Sequence, residues 1–249
     1  MATSETGHAK NVANFETLYT FCTGYGTSYN PSNEAISLNS IGTVLTNSQN
    51  SVKIVNSALT NSSNAIAARE ILFAPLGKLV TRVVNAAASS EIAEQVVDNI
   101  KTVARKLQGK RADDNNDTPP PADPNAPPGD DSNNISVSQL SCDNKVSNMQ
   151  KLIAFLSAQT AYAPNEVDLT VANLTGLYTR MDNVNKLVKS TGRDLSNARI
   201  ARNEILYKEK SGLIYIAATA KTYVKSAFGA SSPQYKQISK IQFTNLDNK

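Results

Sequence analysis

Apolar residues recur every three or four positions along most of this chain, most clearly at Leu38, Ile41, Leu45, Ser48, Val52, Val55 and Leu59. Steps of three and four place these side chains on one face of an α-helix about seven turns long, with two serine-sized gaps in reach of the stripe. The same rhythm returns at Val167, Val171, Leu174, Tyr178, Met181, Asn185 and Val188. No stretch of strict alternation bounded by hairpin turns appears, so the pattern predicts helices and no strands. It predicts four helices in each half. The first covers about Lys10 to Thr23 on an apolar face of Val12, Phe15, Leu18 and Phe21, matched later by Val146, Met149, Leu152 and Phe155. The second is the long helix, entered at Pro31 and Pro164, where a missing amide donor is harmless and the fixed φ is already helical. Asn33-Glu34 and Asn165-Glu166 add an acceptor and a negative charge at its positive end. A third helix is expected to start near Ser63 and near Asp194. The last is expected at Ser90, with Glu91 and Glu94 in its first turn, and at Ser232, with Pro233 at the first helical position.

The two sets of helices read as copies. Asn11 to Pro31 can be laid on Asn144 to Pro164, and Arg69-Glu70-Ile71-Leu72-Phe73 returns as Arg202-Asn203-Glu204-Ile205-Leu206-Tyr207. Tyr29-Asn30-Pro31 recurs as Tyr162-Ala163-Pro164, 133 residues later, and Leu38, Ile41, Leu45 and Val55 reach Val171, Leu174, Tyr178 and Val188 at the same offset. Upstream of the tyrosine the offset is 134, and Ala88-Ser89-Ser90 meets Ala230-Ser231-Ser232 at 142. That growth predicts a third helix about two turns longer in the second copy. Two copies of this length indicate a duplicated domain, not a solenoid of short units. Between them, Asp113 to Asp131 runs through Thr118-Pro119-Pro120-Pro121 and Ala126-Pro127-Pro128-Gly129 among aspartates. So polar and proline-rich a stretch is expected to be an extended spacer. The expected organisation is a first helical repeat at 1–112, a linker at 113–131 and a second repeat at 132–249. The expected fold is all-α, an internally duplicated antiparallel helical bundle, with one shared core and two separate ones both compatible with the linker.

Composition changes this picture little. Of 249 residues, 40% are hydrophobic and 18% charged, so Asn, Ser and Thr fill many polar positions. The net charge of +4 is uneven: residues 1–112 carry 10 basic and 7 acidic groups, the linker 6 acidic, and residues 132–249 carry 15 basic and 8 acidic. Cys22 and Cys142 stand in non-equivalent places, which suggests neither a disulfide framework nor a zinc site and leaves each as a buried free thiol. Met1 to Lys10 lacks the basic start and apolar run of a secretory signal, so a soluble, cytoplasmic protein is the default expectation. No transmembrane span is expected, Ile66 to Val84 coming nearest to the ~20 apolar residues a span requires.

Candidate chemistry is sparse. His8 is the single histidine, so no histidine cluster for a metal exists, and a solvated N-terminal residue is expected. Gly24-Tyr25-Gly26 opens like a phosphate loop, but Tyr29 stands where the third glycine belongs and a helix precedes it, so a helix end and turn is preferred. Tyr19, Phe21, Tyr25 and Tyr29 suggest an aromatic cluster, read as packing. Lys101, Arg105, Lys106, Lys110 and Arg111 close the fourth helix, where basic groups complement the helix dipole more readily than they bind nucleic acid. The recurring Arg69 and Glu70, with Arg202 and Glu204, are the candidate polar site between repeats. The simpler reading of each arginine is an ion pair or hydrogen bond to a neighbouring helix. No catalytic, cofactor-binding or metal-ligating set emerges, and no cofactor is implied.

The segments Tyr29 to Glu34, Ala68 to Leu72, Lys106 to Arg111 and Ser231 to Gln237 resemble those of uncharacterised, internally duplicated helical proteins of Bacteroidetes-type bacteria. The resemblance spans nearly the whole chain. It implies an all-α fold and carries no activity or site residues. The expected function is that of a non-enzymatic helical-bundle interaction or structural protein, whose partner is a protein or a second copy of the chain. A soluble pore-forming or membrane-acting bundle is the alternative, and a weak nucleic-acid binder the second alternative.

Overall fold

A computed structural model describes residues 5–109 and 141–247. The Pro/Asp-rich stretch 113–131 lies outside them, as do Lys110 and Arg111. Among the described residues every regular element is helical and no strand occurs, so the chain is all-α. The helices are α1 (Thr6–Gly24), α2 (Leu38–Phe73), α3 (Leu76–Ala88), α4 (Glu94–Gln108), α5 (Cys142–Ser157), α6 (Val171–Tyr207), α7 (Leu213–Phe228) and α8 (Pro233–Ser239). Single 3₁₀ turns at Glu34–Ile36 and Val167–Leu169 precede the two long helices.

Those turns correct the expected entry at Pro31 and Pro164. Ile36 and Leu169 are buried, 2% and 4% exposed, and seating them takes the chain through the 3₁₀ turn before the helix can begin. The caps are Ser37 and Thr170: Ser37 Oγ accepts from the Ser40 amide at 3.2 Å and Thr170 Oγ1 from the Asn173 amide at 3.4 Å. A buried tyrosine fastens each loop. The Tyr29 hydroxyl donates to the Ile36 carbonyl at 2.8 Å, and the Tyr162 hydroxyl to the Leu169 carbonyl at 2.9 Å. Burial pushes both phenols up, Tyr162 to about 12.

No new helix starts at Ser63 or Asp194. α2 runs unbroken through Ser63 for 36 residues and α6 through Asp194 for 37. A break there would orphan four amides and four carbonyls and interrupt a stripe that continues through buried Ser62 and Ala65. Ser48 and Ser51 lie on the same buried face, with hydroxyls satisfied by Val44 and Ser48 carbonyls at 2.7 and 2.8 Å. Ser90 likewise closes α3, its hydroxyl on the Ala86 carbonyl at 2.8 Å, and α4 begins only at Glu94. Ser232 does cap α8, accepting from the Tyr235 amide at 3.1 Å, with Pro233 at the start. The extra residues of the second half do not lengthen its third helix by two turns. α3 has 13 residues and α7 has 16, and the remaining growth lies in loops, notably Lys208 to Gly212.

The chain folds as two compact units, unit 1 of Met1–Ser63 and Thr191–Lys249 and unit 2 of Asn64–Ser190. The sequence boundaries near 112 and 132 therefore do not delimit the compact units, each of which takes elements from both halves of the chain. The reason is helix length. At 1.5 Å per residue α2 and α6 run roughly 54 Å, far more stripe than a helix of 13 to 19 residues covers, so their two ends bury against different partners. In unit 1, Phe15 and Leu18 of α1 and Ile41 of α2 share a core with Leu206 of α6, Leu213 of α7 and Ile238 of α8. In unit 2, Val83 of α3 and Ile100 of α4 share a core with Met149 and Leu152 of α5 and Leu174 and Met181 of α6.

Candidate functional site

The recurring arginines fall in different units. Arg69 and Glu70 belong to unit 2, Arg202 and Glu204 to unit 1, and each arginine is satisfied within its own unit rather than by the carboxylate beside it in sequence. Arg69 Nη1 donates to Asn185 Oδ1 at 3.2 Å, and Asn185 Nδ2 passes the contact to Asp143 Oδ1 at 2.6 Å. Lys189 also reaches Asp143, at 2.7 Å. Its hydrogen bond, with those of Asn185 and the nearby Arg69 charge, holds the Asp143 carboxyl below the usual carboxylate range. Glu70 is exposed, and Glu204 pairs on the surface with Lys208 at 3.2 Å. These are ion pairs and hydrogen bonds to neighbouring elements, the simpler of the two readings.

Arg202 is the more buried arginine, 3% exposed, and pairs with Glu5 while its Nε and Nη2 donate to Asn203 Oδ1 at 3.1 and 2.8 Å. Glu5 takes a second cation, Arg199 Nε at 3.1 Å. Beside this pair sits His8, and here the expectation of a solvated residue fails: His8 is 3% exposed. α1 begins at Thr6, four residues ahead of Lys10, and that extra turn carries His8 onto the buried face with Asn11. His8 Nδ1 and the Tyr207 hydroxyl share a hydrogen bond of 2.6 Å. Burial, reinforced by the Arg202 charge, lowers the His8 pKa. Asn11 ties the C-terminal segment down, donating to the Thr244 carbonyl at 2.7 Å and accepting from its amide at 3.0 Å. The cluster is a latch between α1, α6 and residues 241–247.

Other candidates resolve into packing. Tyr25 lies against Phe228 and Tyr29 against Tyr223, with ring centroids 5.3 and 5.2 Å apart, so the tyrosines stack on α7 rather than on one another. Gly24 ends α1 and Gly26, at φ +58, opens a 3₁₀ turn. Lys101 pairs with Asp98 at 3.0 Å, and Arg105 and Lys106 occupy the last turn of α4. Cys22 is buried, its thiol pushed up to about 11 by burial, whereas Cys142 is half-buried, against expectation. Among the described residues no three His, Cys, Asp or Glu side chains gather as metal ligands.

The feature that sequence reasoning missed is a cleft in unit 2 of about 600 Å³. The end of α2 supplies Ile71 and Leu72, α3 supplies Leu76 and Leu79, and α6 supplies Leu174 and Leu177. Cations stand among them. Arg82 is held by both oxygens of Asp168 on the 3₁₀ turn, while Lys78 and Arg180 are exposed and make no ion pair or hydrogen bond among the described residues. Ile71 and Val167, the neighbour of Asp168, are 75% and 72% exposed. Unit 1 has a cleft of about 280 Å³ at positions 133 residues away: Val44, Asn47, Glu204, Ile205 and Lys208 stand where unit 2 has Leu177, Arg180, Ile71, Leu72 and Pro75. Two of those exchanges invert the character of the cleft, Ile71 against Glu204 and Arg180 against Asn47. Aligned positions that differ in polarity between the halves were the sequence signal that pointed here.

By length and composition one helical stretch, within Leu38–Ala88, suffices to cross a membrane, with a mean hydropathy of 1.3 in its most apolar window, of which 22% is buried. The expectation that no stretch reached that length is corrected accordingly. No family model, curated protein or solved structure matches the chain.

Proposed function

We propose that this protein is a non-enzymatic helical-bundle interaction protein, built by internal duplication, whose working surface is the unit 2 cleft. The observation that carries the reading is the cleft itself: an apolar floor rimmed by unpaired Lys78 and Arg180, with Ile71 three-quarters exposed beside it. A solvent-facing isoleucine next to an apolar concavity marks a contact surface, because soluble chains rarely leave such groups together without a use. Duplication is supported by the two tyrosine-to-carbonyl bonds and by the placement of both clefts at positions 133 residues apart. Immobilised full-length protein, incubated with extract of its native cell, should retain a partner. The Ile71→Asp variant should lose it and Glu204→Gln should keep it. Equal retention by both variants would overturn the assignment of this surface.

A membrane-acting bundle is the second reading, favoured by the sparsely buried apolar window within Leu38–Ala88. Dye release from vesicles of mixed neutral and anionic phospholipid tests it, and no release at micromolar protein removes it.

A further inference from the structure

We propose that the unit 2 cleft binds a single-chain amphiphile with an anionic head, a long-chain carboxylate, taken up as a free monomer. This rests on the cleft being the working surface and names its ligand. Leu72, Leu76, Leu79, Leu174 and Leu177 supply a hydrocarbon floor on which a methylene chain loses its water without burying any polar group. The head is selected by charge. Arg82 is neutralised by Asp168, so the net positive potential of the cleft comes from Lys78 and Arg180, both without a partner among the described residues. A carboxylate placed between an apolar floor and two unpaired cations gains charge-assisted hydrogen bonds in a partly desolvated setting, which a neutral or cationic head does not.

Size chooses among anionic partners. A cleft of about 600 Å³ lined by twelve residues falls in the range of small-molecule sites. A stable protein interface engages roughly 20–30 residues a side, and a lipid surface is met by convex patches with about 4–8 clustered Lys or Arg. The cleft is concave and carries three basic residues, one of them already paired. The corresponding cleft of unit 1 is the internal contrast: Glu204 and Asn47 replace Ile71 and Arg180, so it offers an anion a carboxylate in place of a cation.

Isothermal titration of the full-length protein with dodecanoate, kept below its critical micelle concentration, tests the proposal. One molecule should bind per chain, decanoate should bind up to about fifteenfold more weakly through the loss of two methylenes, and dodecyltrimethylammonium should not compete. Replacing both cations, Lys78→Gln with Arg180→Gln, should weaken dodecanoate by about tenfold or more while leaving dodecanol binding unchanged. Both residues are exposed, so an unchanged melting temperature should show that the variant folds. Glu204→Gln should change nothing. The proposal is overturned by absence of binding, by equal binding of the ammonium amphiphile, or by a double variant that binds dodecanoate as the natural sequence does. Sedimentation with phosphatidylglycerol vesicles without uptake of monomer overturns it in favour of a membrane surface. If dodecanoate fails while partner retention still depends on Ile71, the ligand class falls and the working surface stands. If both fail, both readings fall together.

Discussion

Unit 1 and unit 2 are assembled from corresponding pieces, yet one carries a tight ionic latch and a polar cleft while the other carries an exposed ionic chain and an apolar cleft. In unit 1 the arginine near the end of the long helix is buried against Glu5 and sits beside His8; in unit 2 its counterpart Arg69 reaches Asp143 through Asn185, with the carboxylate and Lys189 62% and 61% exposed. The clefts diverge the other way. Unit 2 keeps leucines and unpaired cations, whereas the connection Lys208 to Gly212 in unit 1 is longer than Ala74-Pro75 and packs tightly, a Cβ on Gly212 falling 2.6 Å from the Lys208 nitrogen. A shared framework thus tolerated opposite choices at two places: stability reinforced at one end, an open apolar surface kept at the other.

The contrast is broken most severely at the latch. Glu5→Ala leaves Arg202 buried without its main counter-charge and should destabilise unit 1 by about 3 kcal/mol in urea unfolding. Asp143→Ala should cost less than about 1 kcal/mol, since its pairs are solvent-screened. Equal losses would erase the distinction between a buried and an exposed network. The tyrosines test what the units share: Tyr29→Phe and Tyr162→Phe should each cost about 1 kcal/mol, because each removes one buried hydrogen bond and strands one carbonyl.

Acid should separate the units by a smaller margin. The folded His8 pKa lies below its ordinary value of 6.5, so as pH falls through 6.5 the unfolded chain takes a proton that the folded chain refuses. Stability contributed here is complete above 6.5 and declines towards the lowered folded value. Asp143 acts later: its contribution is present above its ordinary 3.8 and declines as pH falls further, through its depressed folded value. Melting between pH 7.5 and 5 should therefore show a slope that His8→Gln abolishes and Asp143→Asn leaves in place. The smallest effect is at the cleft. Ile71→Glu with Arg180→Asn, which gives unit 2 the residues of unit 1, should shift stability by no more than about 0.5 kcal/mol and remove dodecanoate binding, both side chains being exposed.

What the sequence determined by itself was the helical character and the burial face of each helix. The three-and-four rhythm from Ile41 to Val55 and from Leu174 to Val188 is a local property, and it placed Ile41, Leu45, Val55 and Leu174 in the cores, with Val188 half-buried. Starts and stops were less legible. Ser63, Ser90 and Asp194 carry capping side chains, but a cap forms only where the backbone leaves the helix, and whether it leaves depends on what the next turn buries against. Only tertiary structure decided that α2 and α6 each serve two units, since a stripe shows which face is buried and not which helix covers it. It also decided the site. His8 became buried because one added turn of α1 met Tyr207, about 200 residues away, and the cleft arose because residues from α2, α3 and α6, separated by a hundred positions, converge on one concave surface with Lys78 and Arg180 left unpaired. Spacing along the chain encodes neither event, because both are set by contacts between segments whose separation no local pattern records.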